Sequence, residues 1–107
     1  MKYLVDFETL QWHEPARGVR YKAVIKGNQQ VRLVEFSHGF VEGDWCMKGH
    51  AGYVISGTFA NDYSGEIEYY KAGDIIFIPG GETAKHKAIL AEGEKVTLLL
   101  FEVLQTG

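Results

Sequence analysis

Apolar residues recur along this chain in runs of about four to eight positions, several alternating with polar ones, between glycine-bearing breaks. That rhythm predicts the short strands of a β-sandwich or barrel. Strands are expected over 21–25 and 31–36, joined through Lys26-Gly27-Asn28, and over 40–46 after the turn Ser37-His38-Gly39. A long hairpin is expected over 50–60 and 66–71, reversing near Asn61-Asp62-Tyr63-Ser64-Gly65. Residues 74–78 are almost wholly apolar, the pattern of a strand covered on both faces. Pro79-Gly80-Gly81 ends it, because proline cannot donate to a ladder and glycine tolerates the turn. Strands over 86–90 and 95–104 complete the set, with Ala91-Glu92-Gly93-Glu94 between them. No stretch carries a helical stripe, and residues 6–16 suit one turn of helix or an edge strand.

A sheet of this size must hide its edges, by closing into a barrel or by pairing with another subunit. The run Val96-Thr97-Leu98-Leu99-Leu100-Phe101 is too apolar for a solvated face and belongs in a core or at a dimer interface. The 107 residues, 46% of them hydrophobic, suffice for one domain over 1–107, with a barrel core at roughly 20–104 behind a leader at 1–19.

With 11 basic against 14 acidic residues, a net charge of -3 and no basic cluster, neither nucleic acid nor an anionic membrane is expected as partner. The opening Met1-Lys2-Tyr3-Leu4-Val5-Asp6 is too short an apolar run for a signal peptide, and no stretch is long enough to span a bilayer. The lone Cys46 excludes an intrachain disulfide and fits a reducing compartment, so a soluble cytoplasmic protein is expected.

Four side chains carry the candidate chemistry. Asp44, Cys46 and His50 fall within eight residues, and His86 follows Pro79-Gly80-Gly81. Along a strand, Asp44 and Cys46 share a face while Trp45 points away. A reversal at Met47-Lys48-Gly49 returns His50 beside them. Carboxylate, thiolate and imidazole are the common protein ligands of a borderline divalent metal. Glu42 shares the face of Asp44 and is an alternative to it. His38 lies in a turn and His13 in the irregular leader, so neither is a candidate ligand. Arg20, Tyr21 and Arg32 suit a pocket mouth, though solvated strand positions explain them as well.

These residues resemble the cupin superfamily. Gly57 lies seven positions after His50, which sets His50 in the glutamate slot of the first cupin motif and Cys46 and Asp44 in its two histidine slots. Gly73, Asp74, Pro79, Gly81 and His86 are similar to the second motif, with two more residues before His86 than is common. The resemblance implies a small antiparallel jelly-roll β-barrel, an all-β fold, with a metal on Asp44, Cys46, His50 and His86. It also implies a homodimer and a small-molecule ligand or substrate. A thiolate in place of one imidazole makes the set softer than the usual three histidines and a glutamate. Zinc is therefore favoured over manganese or magnesium, with iron, nickel and copper also compatible.

Two functions follow as expectations. If Asp44 stays off the metal, an open position serves a small metal-dependent enzyme of isomerase, oxygenase or lyase type, with Glu42 or Asp44 as general base. If all four residues bind, the shell is closed and the protein is a non-catalytic binding or sensing barrel. No nucleophile elbow and no phosphate loop is present.

Overall fold

The computed structural model describes residues 3–104. Its strands are β1 (His13–Ala16), β2 (Val19–Lys26), β3 (Gln29–Phe36), β4 (His50–Ser56), β5 (Thr58–Tyr63), β6 (Glu66–Lys71), β7 (Ile75–Ile78), β8 (Lys87–Ile89) and β9 (Val96–Val103). A six-stranded sheet runs β1-β2-β3-β9-β4-β7 and a three-stranded sheet runs β6-β5-β8, every neighbour antiparallel. This is the expected all-β architecture with a jelly-roll pairing. The two sheets close on a core that includes Val34, Val54, Phe59, Ile76, Val96 and Leu98. Burying each large apolar side chain contributes about 1.5–3 kcal/mol.

Strand β9 sits between β3 and β4 and shows the packing rule most plainly. Val96, Leu98, Leu100 and Glu102 are buried while Phe101 and Val103 are exposed, as period-two alternation requires. The leader supplies both features expected of it, a single 3-10 turn at Phe7–Thr9 and the edge strand β1. It lies against β2, where Lys22 Nζ donates to the Phe7 carbonyl at 2.7 Å and the Arg20 guanidinium stands 4.0 Å from the Trp12 ring centre.

Three local expectations need correction. Residues 40–46 are not a strand: Val41 bridges Ile89 and Cys46 bridges His86, but the chain bends away at Gly43-Asp44 between them. Glycine and aspartate lack the branched side chains that hold a pleated surface, so pairing survives only at the two ends. The strand expected over 50–60 breaks at Gly57, where φ is +85 and the chain passes from the large sheet to the small one. The hairpin then reverses at Ser64-Gly65, both with positive φ, while Asn61 and Asp62 stay within β5. Finally, β7 is covered on one face only, with Ile76 and Ile78 buried and Ile75 and Phe77 exposed. No helix among the described residues is long and apolar enough to cross a membrane.

Candidate metal centre

The bridge between residue 46 and residue 86 positions the site. Cys46 N donates to the His86 carbonyl at 2.8 Å and His86 N donates back at 3.0 Å, so the thiol and one imidazole are set side by side by backbone alone. The chain then reverses through Met47–Gly49. Gly49 is required there, because a Cβ would stand 2.9 Å from the Gly80 nitrogen. His50 emerges as the first residue of β4, with its Nε2 3.6 Å from the Cys46 sulfur. The two imidazole rings meet edge to face, 5.2 Å apart. One donor atom from each of Cys46, His50 and His86 lies within 4.8 Å of the others.

The remaining nitrogen of each ring is engaged elsewhere. His86 Nδ1 lies 3.1 Å from the Ala84 carbonyl, and His50 Nδ1 lies 2.5 Å from Glu102 Oε2. The latter contact is an ion pair that is bent away from hydrogen-bond geometry, and Nδ1 has no other partner. Glu102, its side chain wholly buried, is clamped by Arg32 through Nε at 2.6 Å and Nη2 at 2.8 Å, and by Gln30 Nε2 at 2.9 Å. Anchoring the far nitrogen of a ligating histidine with a carboxylate or a carbonyl fixes its tautomer and aim. Both rings therefore present Nε2 as the free donor.

Electrostatics agree with that arrangement. Hydrogen bonds from His50 and His86 hold the Cys46 thiol at about 5, against burial that acts to raise it. Burial pushes His50 down, but Cys46 and Glu102 outweigh it and raise the imidazole to about 9. Burial likewise opposes ionisation of Glu102, and His50 with Arg32 overcomes it, holding the carboxyl at about 2. His86 is raised, Cys46 and the Ala84 carbonyl outweighing its burial. Without metal, the centre is thus a thiolate beside an imidazolium that is backed by a carboxylate. The thiolate is the form a metal takes.

Asp44 stands exposed on the bend, outside this group of donors. Glu42 is half-buried and accepts from Ala88 N at 2.7 Å. It lines a cavity of about 150 Å³ together with Cys46, His50 and His86. Burial is the main reason its carboxyl is raised. His13 packs against Tyr21 and His38 occupies its turn with φ of 57. Sequence reasoning missed Glu102. The signal was available, since Glu102 follows Leu98 and Leu100 on the inward-facing register of the last strand.

The donor set suits a borderline divalent ion: one sulfur already ionised, two anchored imidazoles and a second sphere in place. A shell of three protein donors leaves room for a further ligand on the cavity side.

No protein-family model matches the chain, and no curated protein matches it in sequence. Solved structures do match. KdgF from Halomonas sp. is 24% identical with a TM-score of 0.73, over 94% of this chain and 92% of that one. The polyketide cyclase RemF from Streptomyces resistomycificus is 20% identical with a TM-score of 0.81, over 98% and 81%. A sugar phosphate isomerase of the cupin superfamily from Silicibacter pomeroyi DSS-3 is 14% identical with a TM-score of 0.76, over 95% and 76%. The fold is that of the cupins.

Proposed function

We propose that this cupin-fold protein holds one divalent transition metal on Cys46, His50 and His86 and acts as a small metal-dependent enzyme on an organic molecule bound in the adjoining cavity. The observation that carries the reading is the convergence of three donors on one wall of that cavity while Asp44 faces solvent. Three protein ligands with a vacant position are the pattern of catalytic zinc sites, whereas structural sites take four. The thiolate favours zinc, with iron, nickel and copper suited to the same imidazoles.

The chain's own residues divide the work. Arg32 and Gln30 fix Glu102, Glu102 fixes His50, and the Ala84 carbonyl fixes His86. Glu42 faces the cavity with a raised carboxyl and is the proposed general base, able to take a proton from a substrate carbon or hydroxyl. Asp44, exposed on its bend, is less suited to that role. A metal bound here supplies Lewis acidity toward a carbonyl or hydroxyl oxygen. The solved neighbours include proteins described as a cyclase and an isomerase, which supports an enzymatic use of the barrel. The free Cys46 thiol supports a reducing, cytoplasmic setting.

The assembly proposed is a homodimer through the outer face of β4, β7 and β9. Ile75, Phe77, Phe101 and Val103 are between 50% and 84% exposed there. Register places Tyr53 beside Ile75 and Ala51 between Phe77 and Phe101, so the patch is continuous. Large apolar and aromatic side chains grouped on one exposed face are the composition of an interface core. No charge interrupts these positions, so two copies meet without like-charge repulsion.

The test is metal analysis of protein purified without added metal, set against a His50→Ala, His86→Ala double variant. About one equivalent in the first and none in the second is expected; equal contents would overturn the reading. Azide added to the cobalt-substituted protein then reports the open position. A visible spectrum indifferent to azide would indicate a closed shell and favour a non-catalytic binding barrel.

A further inference from the structure

We infer that the cavity takes a compact, largely apolar molecule of about one ring with a single polar head, a simple phenol being the type, and excludes phosphorylated and polyhydroxylated compounds. The inference rests on the metal-centre reading for the polar end and on the cavity walls for everything else.

Size sets the first limit. A volume of about 150 Å³ is that of an apolar cavity known to admit benzene. The walls set the second. Cys46, His50, His86 and Glu42 supply the polar groups, and His50 sits at the Glu102 end of β9. Phe36, which lines the same cavity, pairs with Val96 at the other end of that strand. Its ring stacks on Phe40 at 5.1 Å and leans on Phe59 at 6.1 Å. A one-ring guest is far shorter than that strand; its head meets the ligating and acidic groups, and its body meets the apolar and aromatic side chains that line the rest of the cavity. Flat rings pack well against such faces.

Charge sets the third limit. Arg32 is the one lysine or arginine on the cavity wall among the described residues, and Glu102 already holds it through two nitrogens. Its guanidinium also stands 5.2 Å from the Tyr21 ring centre. Outside the metal centre, no lysine or arginine on the wall is left free to pair with a phosphate, which is recognised mainly through Arg and Lys. Glu42 adds negative charge to the same wall. The side-chain amide of Asn61 donates to the Tyr63 hydroxyl at 3.2 Å, which engages one of its two N–H groups. A sugar would leave most of its hydroxyls unpaired against Val, Leu, Ile and Phe side chains, and each buried hydroxyl without a partner weakens binding.

The experiment is calorimetric titration of the metal-quantified protein with phenol and with glucose 6-phosphate, repeated after chelator dialysis. Saturable one-to-one binding of phenol and no saturable heat with the sugar phosphate are expected. A Phe40→Ala variant that melts like the parent and keeps its metal should bind phenol several-fold more weakly. Sugar phosphate binding without phenol binding, or no binding of either by metal-loaded protein, would overturn the inference. If the purified protein proves to hold no metal yet phenol still saturates, the metal reading fails while the ligand class stands.

Discussion

His50 stands between two anions: its Nδ1 lies 2.5 Å from Oε2 of Glu102 and its Nε2 lies 3.6 Å from the Cys46 sulfur. One ring therefore joins the donor cluster to a buried carboxylate that Arg32 holds in turn. Replacing Glu102 by Gln keeps the shape and removes the charge. Metal affinity is expected to fall about 10- to 100-fold, the usual penalty for a lost outer partner of a ligating histidine. Chelator competition measures it. An unchanged affinity would mean that Glu102 serves only to pair Arg32.

The same groups fix how the metal-free protein responds to pH. Cys46 is depressed from 9.0 to about 5, so its contribution is complete above 9.0 and is lost as pH falls through 5. His50 is raised from 6.5 to about 9, so its contribution is complete below 6.5 and is lost as pH rises through 9. Between 6.5 and 9 the two slopes oppose each other. Below 6.5 the His50 contribution is complete while that of the thiolate falls, opposed above 4.5 by the raised Glu42 carboxyl, and below 4.5 the loss from Glu102, held at about 2, is added. Denaturant midpoints of chelator-treated protein should be nearly level from pH 6.5 to 9 and decline on the acid side. A maximum near pH 5 would contradict the thiolate–imidazolium pair.

The site was partly legible because strand alternation and a reversal are local. Cys46 and His50 are four residues apart, and a glycine at 49 makes the return possible. The role of Asp44 was harder to read, since a face assignment presumes a strand and Gly43-Asp44 is a bend. A direct comparison separates the two cases. Asp44→Ala should retain its metal, and Cys46→Ser should lose most of it and any thiolate charge-transfer band of the cobalt form. Loss of metal from Asp44→Ala would restore the carboxylate to the shell.

The fold was legible as a set of strands and less so at their junctions. Runs of Val, Ile, Leu and aromatic residues announce β2, β3, β6 and β9, but the sheet that a strand joins is decided by contacts far away in sequence. Gly57 is the instructive position, a single residue between Ser56 and Thr58 at which the chain passes from one sheet to the other. A Cβ there would sit 1.9 Å from the Lys95 carbonyl oxygen and 2.8 Å from the Val96 Cα, in a backbone with φ of +85. Both objections are to backbone atoms, which cannot swing aside. Gly57→Ala should cost on the order of 3 kcal/mol or more in denaturant unfolding. A loss below 1 kcal/mol would show that the corner yields.

Phe77 offers the last test, because its neighbours in sequence point the opposite way. Ile76 and Ile78 are 5% and 6% exposed and pack in the core, while Phe77 is 84% exposed on the outer face. A single isolated aromatic on a surface would mean little. Here it adjoins Ala51 and, across that residue, Phe101, while Ile75 lies beside Tyr53. Continuous apolar patches of several hundred Å² on soluble proteins mark interaction surfaces. In a two-fold dimer each Phe77 is buried by the partner's copy of this face, so Phe77→Lys introduces two charges into one interface. Sedimentation should show a dimer for the parent and a monomer for the variant, with a concentration-dependent melting temperature for the parent alone. Metal content should be equal in both, since the substitution lies on the far side of the sheet from Cys46, His50 and His86. A parent chain that sediments as a monomer at every concentration would remove the dimer and leave the metal centre untouched.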